Sequence, residues 1–246
     1  MKETVDKSYL TIIEENEDFI VIEKPSGMIV HPWKECADKI SVMYVLKEQT
    51  GKWIYPIHRL DRAVSGVMIF AFSSEMAKRI QDQWSLNSTH KIYYGLNKGI
   101  IPEAKFIDYP LWNQGRTIKQ DARTNFWPIE KNDFVTLTKF QLETGRYHQI
   151  RRHCSAMGHQ LIGDTKYGKG QFNRFYRENF SLHRLFLHCA GLKINLNNQA
   201  YEFFADFPQD LKNVILNLGF SVPNQNEIFE VTDLPQIAFS KKQDLV

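Results

Sequence analysis

The fold turns on one stretch, His58-Arg59-Leu60-Asp61-Arg62-Ala63-Val64-Ser65-Gly66, which runs straight into Val67-Met68-Ile69-Phe70-Ala71-Phe72. The second half is an apolar run with strand propensity, which reads as a buried strand. The first half sets a carboxylate between two guanidinium groups at the entry to that strand. Nearby positive charge favours the charged form of a carboxylate, so Arg59 and Arg62 are the expected partners of Asp61. Such a group can act as a nucleophile, a base or a metal ligand. It can equally close a structural ion pair at a loop-to-strand junction, and the spacing alone leaves both readings open.

Outward from this stretch, residues 9–13 and 19–23 read as two short strands around a turn at 14–18. Lys24-Pro25-Ser26-Gly27 is a turn, because Pro fixes φ and Gly permits a positive one. Residues 38–50 read as a helix with Val42, Val45 and Leu46 on one side and Gly51 as its stop. Downstream, Ser74 is the expected cap of a helix whose Met76, Ile80 and Trp84 recur every four residues. Residues 92–96, 134–142 and 185–194 read as strands, and 147–157 as a helix ended by Gly158. Residues 211–218 form a last amphipathic helix, stopped by Gly219, and 221–246 read as a polar appendage. Strands outnumber helices and do not alternate with them, which predicts an α+β fold with a largely antiparallel sheet.

Composition narrows the class. The 246 residues are 43% hydrophobic and 24% charged, ordinary globular values that exclude a disordered or fibrous chain. No apolar run reaches the roughly 20 residues that span a bilayer. The acidic start lacks the pattern of a signal peptide. Cys36, Cys154 and Cys189 are too far apart for a Cys-based zinc site, and free thiols suit a reducing cytoplasm. The net charge of +3 is unevenly spread: about −5 over residues 1–23, −4 over 202–246 and +6 over 144–184. Tyr147, Tyr167, Phe172, Phe175 and Tyr176 are interleaved with the charges of that basic block. Cations that meet phosphates beside rings that stack on bases point toward RNA or single-stranded nucleic acid, against the plain alternative of a solvated helix face.

The block holds a second dense segment, Thr144-Gly145-Arg146-Tyr147-His148-Gln149-Ile150-Arg151-Arg152-His153. On a helix, His148 shares a face with Arg151 or Arg152. The five-residue gap between His148 and His153, without a third ligand at a usual spacing, argues against zinc. Neither a GxxxxGK[ST] loop nor a GxGxxG turn is present.

At these two segments the chain resembles the RluA-type pseudouridine synthases. His58–Asp61 with Ser65-Gly66 is similar to that family's HRLDxxTSG signature, and Thr144–His153 to its TGRxHQIRxH element. Lys24–Gly27, Lys91-Ile92-Tyr93, Ile162-Gly163-Asp164 and Leu187-His188 match its KPSG, KxY, IGD and LHA pieces, in order. Val64 replaces a usual Thr and Cys189 a usual Ala. The resemblance implies the pseudouridine-synthase fold, a mixed, largely antiparallel sheet with a central active-site cleft flanked by helices. It implies isomerisation of uridine in RNA with Asp61, Tyr93 and Arg151 as catalytic residues. Asp61 attacks C1′ or the base C6, or removes a sugar proton; the resemblance does not choose. The resemblance further implies that Tyr93 stacks under the uracil and that Arg59 fills the space left by the flipped base. His58, Arg62, Ile150, His148, Arg152 and Lys166 are the further expected substrate-binding residues. No cofactor and no metal are expected. The expected catalytic domain is 9–220, with 221–246 a tail of unknown role. The expected partner is RNA, with tRNA favoured, and the expected protein is a cytoplasmic monomer without membrane or obligate protein partner. Two alternatives stay open: the same chemistry on a ribosomal RNA uridine, and a catalytically dead protein that binds or folds RNA.

Overall fold

The structure, a computed structural model, describes residues 9–32, 40–86 and 88–230 and the backbone of 238–239. The elements in order are β1 (Thr11–Glu15), β2 (Phe19–Lys24), α1 (Val42–Thr50), β3 (Tyr55–Pro56), β4 (Ser65–Ala71), α2 (Ser74–Trp84) and β5 (His90–Lys98). Next come β6 (Lys105–Asp108), β7 (Leu111–Trp112), β8 (Lys119–Gln120), β9 (Arg123–Lys131), β10 (Val135–Leu142), α3 (Gln149–Ala156) and α4 (Gly170–Phe180). The last are β11 (Leu187–Leu196), β12 (Gln199–Phe204), α5 (Gln209–Asn217), a 3-10 turn at Gln225–Glu227 and β13 (Ala238–Phe239).

One mixed sheet carries the molecule. Its order is β1-β2-β4-β11-β5-β10-β9-β6-β13, with β12 beside β11 and β3 beside β4. All pairs in it are antiparallel except β11 with β4 and β13 with β6. Alternate residues of each strand point to opposite faces, so the central strands feed two cores. Ile92, Tyr94 and Leu96 of β5 enter one core with Leu211, Val214 and Ile215 of α5, whereas Tyr93 enters the other with Leu46 of α1 and Ile80 of α2. Every residue of β4 is buried, as its apolar sequence requires.

The β4–β11 junction is set by a glycine. Gly66 has φ +121°, and a Cβ there would lie 2.0 Å from the Cys189 carbonyl oxygen, so the parallel pairing of Gly66 with Cys189 admits no side chain.

Several boundaries differ from the sequence reading. Helix α1 starts at Val42 because Ser41 caps it, accepting from the Tyr44 N–H at 3.2 Å; the earlier start predicted at 38 falls partly outside the described residues. Ser73, not Ser74, caps α2 by accepting from the Met76 N–H. Residues 221–230 do not trail as an appendage. Lys139 Nζ donates to the carbonyls of Glu227 and Glu230 at 3.1 and 2.7 Å, and Ile228 is 1% exposed. A buried lysine needs such acceptors, and the backbone of this segment supplies them.

Candidate active site

Asp61 sits in the loop between β3 and β4. A tight turn closes behind it, with the Val64 N–H donating to the Asp61 carbonyl at 3.0 Å. The turn at 25–27 is stitched to this loop from both sides: the Gly27 N–H donates to Arg62 O at 2.8 Å, and Arg62 Nε donates to Gly27 O at 2.9 Å. Beneath lies Lys24, fully buried, whose Nζ donates to the carbonyls of Pro25, Arg62 and Val64 at 2.7, 3.3 and 2.8 Å. Burial, and secondarily Arg184, lowers its pKa to about 7. Farther back, His188 Nε2 faces the Ala205 carbonyl at 3.1 Å, so it carries the proton. His188 Nδ1 therefore accepts from the Ser65 hydroxyl at 2.9 Å, and Arg184 donates to the same Ser65 oxygen at 3.0 Å. This Ser–His pair is a buried brace for the strand that follows the loop.

The cleft above Asp61 encloses about 390 Å³ and is lined by the 57–61 loop, the end of α2, Lys91 and Tyr93 of β5, and residues 145–151. Arg151 Nη1 donates to Asp61 Oδ2 at 2.8 Å. The other edge of the guanidinium is clamped by Asp164, Nε to Oδ2 at 2.8 Å and Nη2 to Oδ1 at 2.9 Å. Asp164 is 1% exposed, and its Oδ1 also accepts from the Lys166 and Tyr167 N–H groups. Burial works against the Arg151 charge, but the hydrogen bonds to Asp164 and Asp61 reverse that and hold its pKa above the usual value. Burial likewise opposes the Asp164 charge, and Arg151 more than compensates, so its pKa is lowered.

His148 opens α3 in the left-handed conformation (φ +52°). Its Nε2 lies 3.5 Å from Asp61 Oδ2, its Nδ1 lies 3.1 Å from the Tyr167 hydroxyl, and its ring stacks on Tyr147 at 3.8 Å. Burial, with Asp61 opposing, lowers its pKa to about 4, so the ring is neutral at pH 7. Both side chains that approach Asp61 do so at Oδ2. Among the described residues, Oδ1 has no hydrogen-bond partner.

Tyr93 forms part of the cleft wall at 8% exposure. Burial, then the neighbouring Cys189, pushes its phenol well above the usual range, so it stays protonated.

The structure thus gathers Asp61, Tyr93, Arg151, His148, Ile150, Arg59 and His58 around one cleft. The Arg59 guanidinium lies 5.7 Å from the Tyr147 ring, and Lys166 Nζ approaches the same ring at 5.4 Å. Arg62 and Arg152, two of the expected residues, lie off the cleft wall. Arg62 is not a wall of the cleft: the turn after Asp61 carries its side chain to Gly27. Arg152 points about 100° away from Arg151 around the helix, and its Nη1 donates to the Trp112 carbonyl at 2.7 Å. His58 stays in the cleft wall, stacked on Trp84 at 4.4 Å, and burial lowers its pKa to about 3, so its ring is neutral. His153 is a core residue bonded to Thr124 and Tyr109, not a ligand. No cluster of metal-ligating side chains occurs among the described residues. Asp164, Tyr167 and Lys91 join the site although the sequence reading did not select them. The first belonged to the quoted Ile162-Gly163-Asp164 match and the last to Lys91-Ile92-Tyr93.

The family model described as RNA pseudouridylate synthase matches residues 18–156, and the chain belongs to that family. It is 36% identical over 206 residues to the tRNA pseudouridine synthase C of Vibrio cholerae, covering 75% of this chain and 84% of that one. It is 35% identical over 205 residues to the protein of the same name from Haemophilus ducreyi, covering 74% and 84%. In fold it resembles Human RNA Pseudouridylate Synthase Domain Containing 4, with TM-score 0.72, 22% identity, and 87% and 95% of the two chains covered.

Proposed function

We propose that this enzyme isomerises a uridine of tRNA, at position 65, with Asp61 as the catalytic residue. The reading rests above all on the Asp61 carboxylate, which lines the cleft and is held at Oδ2 by Arg151, with Oδ1 left without a hydrogen-bond partner among the described residues. In the reaction the N1–C1′ bond breaks, the uracil turns, and a C5–C1′ bond forms. The C5 proton leaves and N1 gains one, so the balance calls for no oxidant, cofactor or metal. Attack at C1′, attack at C6 and removal of a sugar proton all use the open oxygen. Tyr93 is the platform for the uracil ring: its protonated phenol suits stacking, and it can take the C5 proton only after surrendering its own. Flipping the uridine out costs a few kcal/mol of stacking and pairing. Arg59 occupies the vacated space, and Lys166 meets a phosphate at the cleft mouth, a contact that weakens with salt. Residues 9–220 are the catalytic unit, and the enzyme acts as a cytoplasmic monomer.

Tritium release from 5-tritiated uridine in tRNA tests the chemistry. Asp61→Ala is expected to lose about 10⁴-fold or more in rate, while full turnover by this variant would remove Asp61 from the mechanism. Mapping pseudouridine in tRNA and ribosomal RNA from a strain lacking the gene tests the target. Loss at tRNA position 65 is expected; loss only in ribosomal RNA would replace the tRNA reading.

A further inference from the structure

We propose that Tyr167 is a positioning residue: acting through His148, it selects the oxygen of Asp61 that reacts. This rests on the role given to Asp61 above. The His148 ring is neutral and so has one N–H. Its Nε2 faces the Asp61 carboxylate at 3.5 Å. A nitrogen lone pair aimed at a carboxylate oxygen is repulsive, so the proton belongs on Nε2. That separation is long for a hydrogen bond, but catalytic contacts commonly shorten when substrate fills the site. Nδ1 is then an acceptor, and the group that satisfies it is the Tyr167 hydroxyl at 3.1 Å.

The direction of the chain follows: Tyr167 O–H to His148 Nδ1, and His148 Nε2–H toward Asp61 Oδ2. Arg151 Nη1 reaches the same Oδ2 at 2.8 Å. Two donors on one oxygen leave Oδ1 with its lone pairs available to the substrate. Both ends of the arrangement are fixed. The Tyr147 ring, stacked at 3.8 Å, sets the plane of His148, and the Tyr167 N–H donates to Asp164 Oδ1 at 3.0 Å, the carboxylate that clamps Arg151. Tyr167 and Arg151 are thus tied to one anchor. Without the tyrosine hydroxyl, Nδ1 loses its donor and only the long contact to Asp61 still favours the Nε2–H tautomer, so the Nδ1–H form, which turns a lone pair on Asp61, gains population.

Tyr167→Phe keeps the ring that lies 5.2 Å from the Arg151 guanidinium and removes only the hydroxyl. Two readouts are needed. The first is the single-turnover rate and the RNA dissociation constant; the second is the tautomer of His148, read from nitrogen chemical shifts in protein labelled with ¹⁵N-histidine. The wild type is expected to show His148 protonated at Nε2. The variant is expected to lose about tenfold in rate, the worth of one hydrogen bond, with unchanged RNA affinity and a shift toward the Nδ1–H form. A wild-type rate in the variant overturns the proposal. So does a lost rate with the Nε2–H tautomer intact, or a wild-type His148 protonated at Nδ1. Failure of the wild type to release tritium from any RNA would instead strike at the proposed function, while the tautomer measurement still judges the contact.

Discussion

Two acids share Arg151, and their surroundings divide the work. Asp61 opens to the cleft, whereas Asp164 is sealed and spends both oxygens on the guanidinium and on two backbone N–H groups. Asp164→Asn keeps the shape and removes the charge. It leaves a buried cation with one carboxylate in place of two, and about 3 kcal/mol of unfolding free energy should be lost. Turnover should fall with it, because Nη1 is no longer held against Asp61. Urea unfolding alongside tritium release checks both, and a stable, fully active variant would show that the clamp is dispensable. The sequence marked Asp61, Tyr93 and Arg151 because each falls in a motif of fixed spacing. It set Arg62 beside Asp61 by adjacency in the chain, whereas a tight turn carries that side chain to the Gly27 carbonyl. It passed over Tyr167 because the contact that gives it meaning, to His148, spans a loop that carries no periodic signal.

At the scale of elements, β4 and β11 matter most, since their short parallel contact places the Asp61 loop over β5. Gly66→Ala would drive a methyl group into the Cys189 carbonyl and strain a positive φ. The expected loss is about 3 kcal/mol in urea unfolding, and a change under 1 kcal/mol would mean that the two strands separate without cost. The central strands β2, β4, β5 and β10 and helix α5 were legible because each buries an unbroken run or an amphipathic stripe. Helix α4 was not. Its Phe172, Phe175 and Tyr176 looked like rings interleaved with charge for stacking on RNA, yet Tyr176 is 3% exposed and packs in the second core. The strands β6 and β9 toward the sheet edge escaped for a different reason: their pairing partners, not their own polar sequences, define them.

At the scale of the whole molecule, burial keeps four histidines neutral among the described residues, as already seen for His58 and His148. Burial is the leading cause for His153 and His188 too, lowering both to about 4. In the unfolded chain each takes a proton near the usual 6.5. The native state therefore holds fewer protons between these limits, and stability is present in full above pH 6.5 and lost as the pH falls toward 4. At pH 5, unfolding should take up between three and four protons, roughly 3.6. Melting temperatures from pH 7.5 to 4.5 test this, and a flat profile down to pH 5 would show that the rings are already charged in the fold. Among the described residues, no helix is long and apolar enough to cross a membrane.

The ion pair between Asp61 and Arg151 joins residues 90 positions apart, with most of the central sheet strung between them. Contacts at such separation form only after long loops have closed, which makes them late in folding. Neither half of the chain can assemble the reaction centre alone. Catalytic competence is therefore a reporter of the final step of assembly: in a refolding time course, helical and strand signal should return first, and pseudouridine formation last.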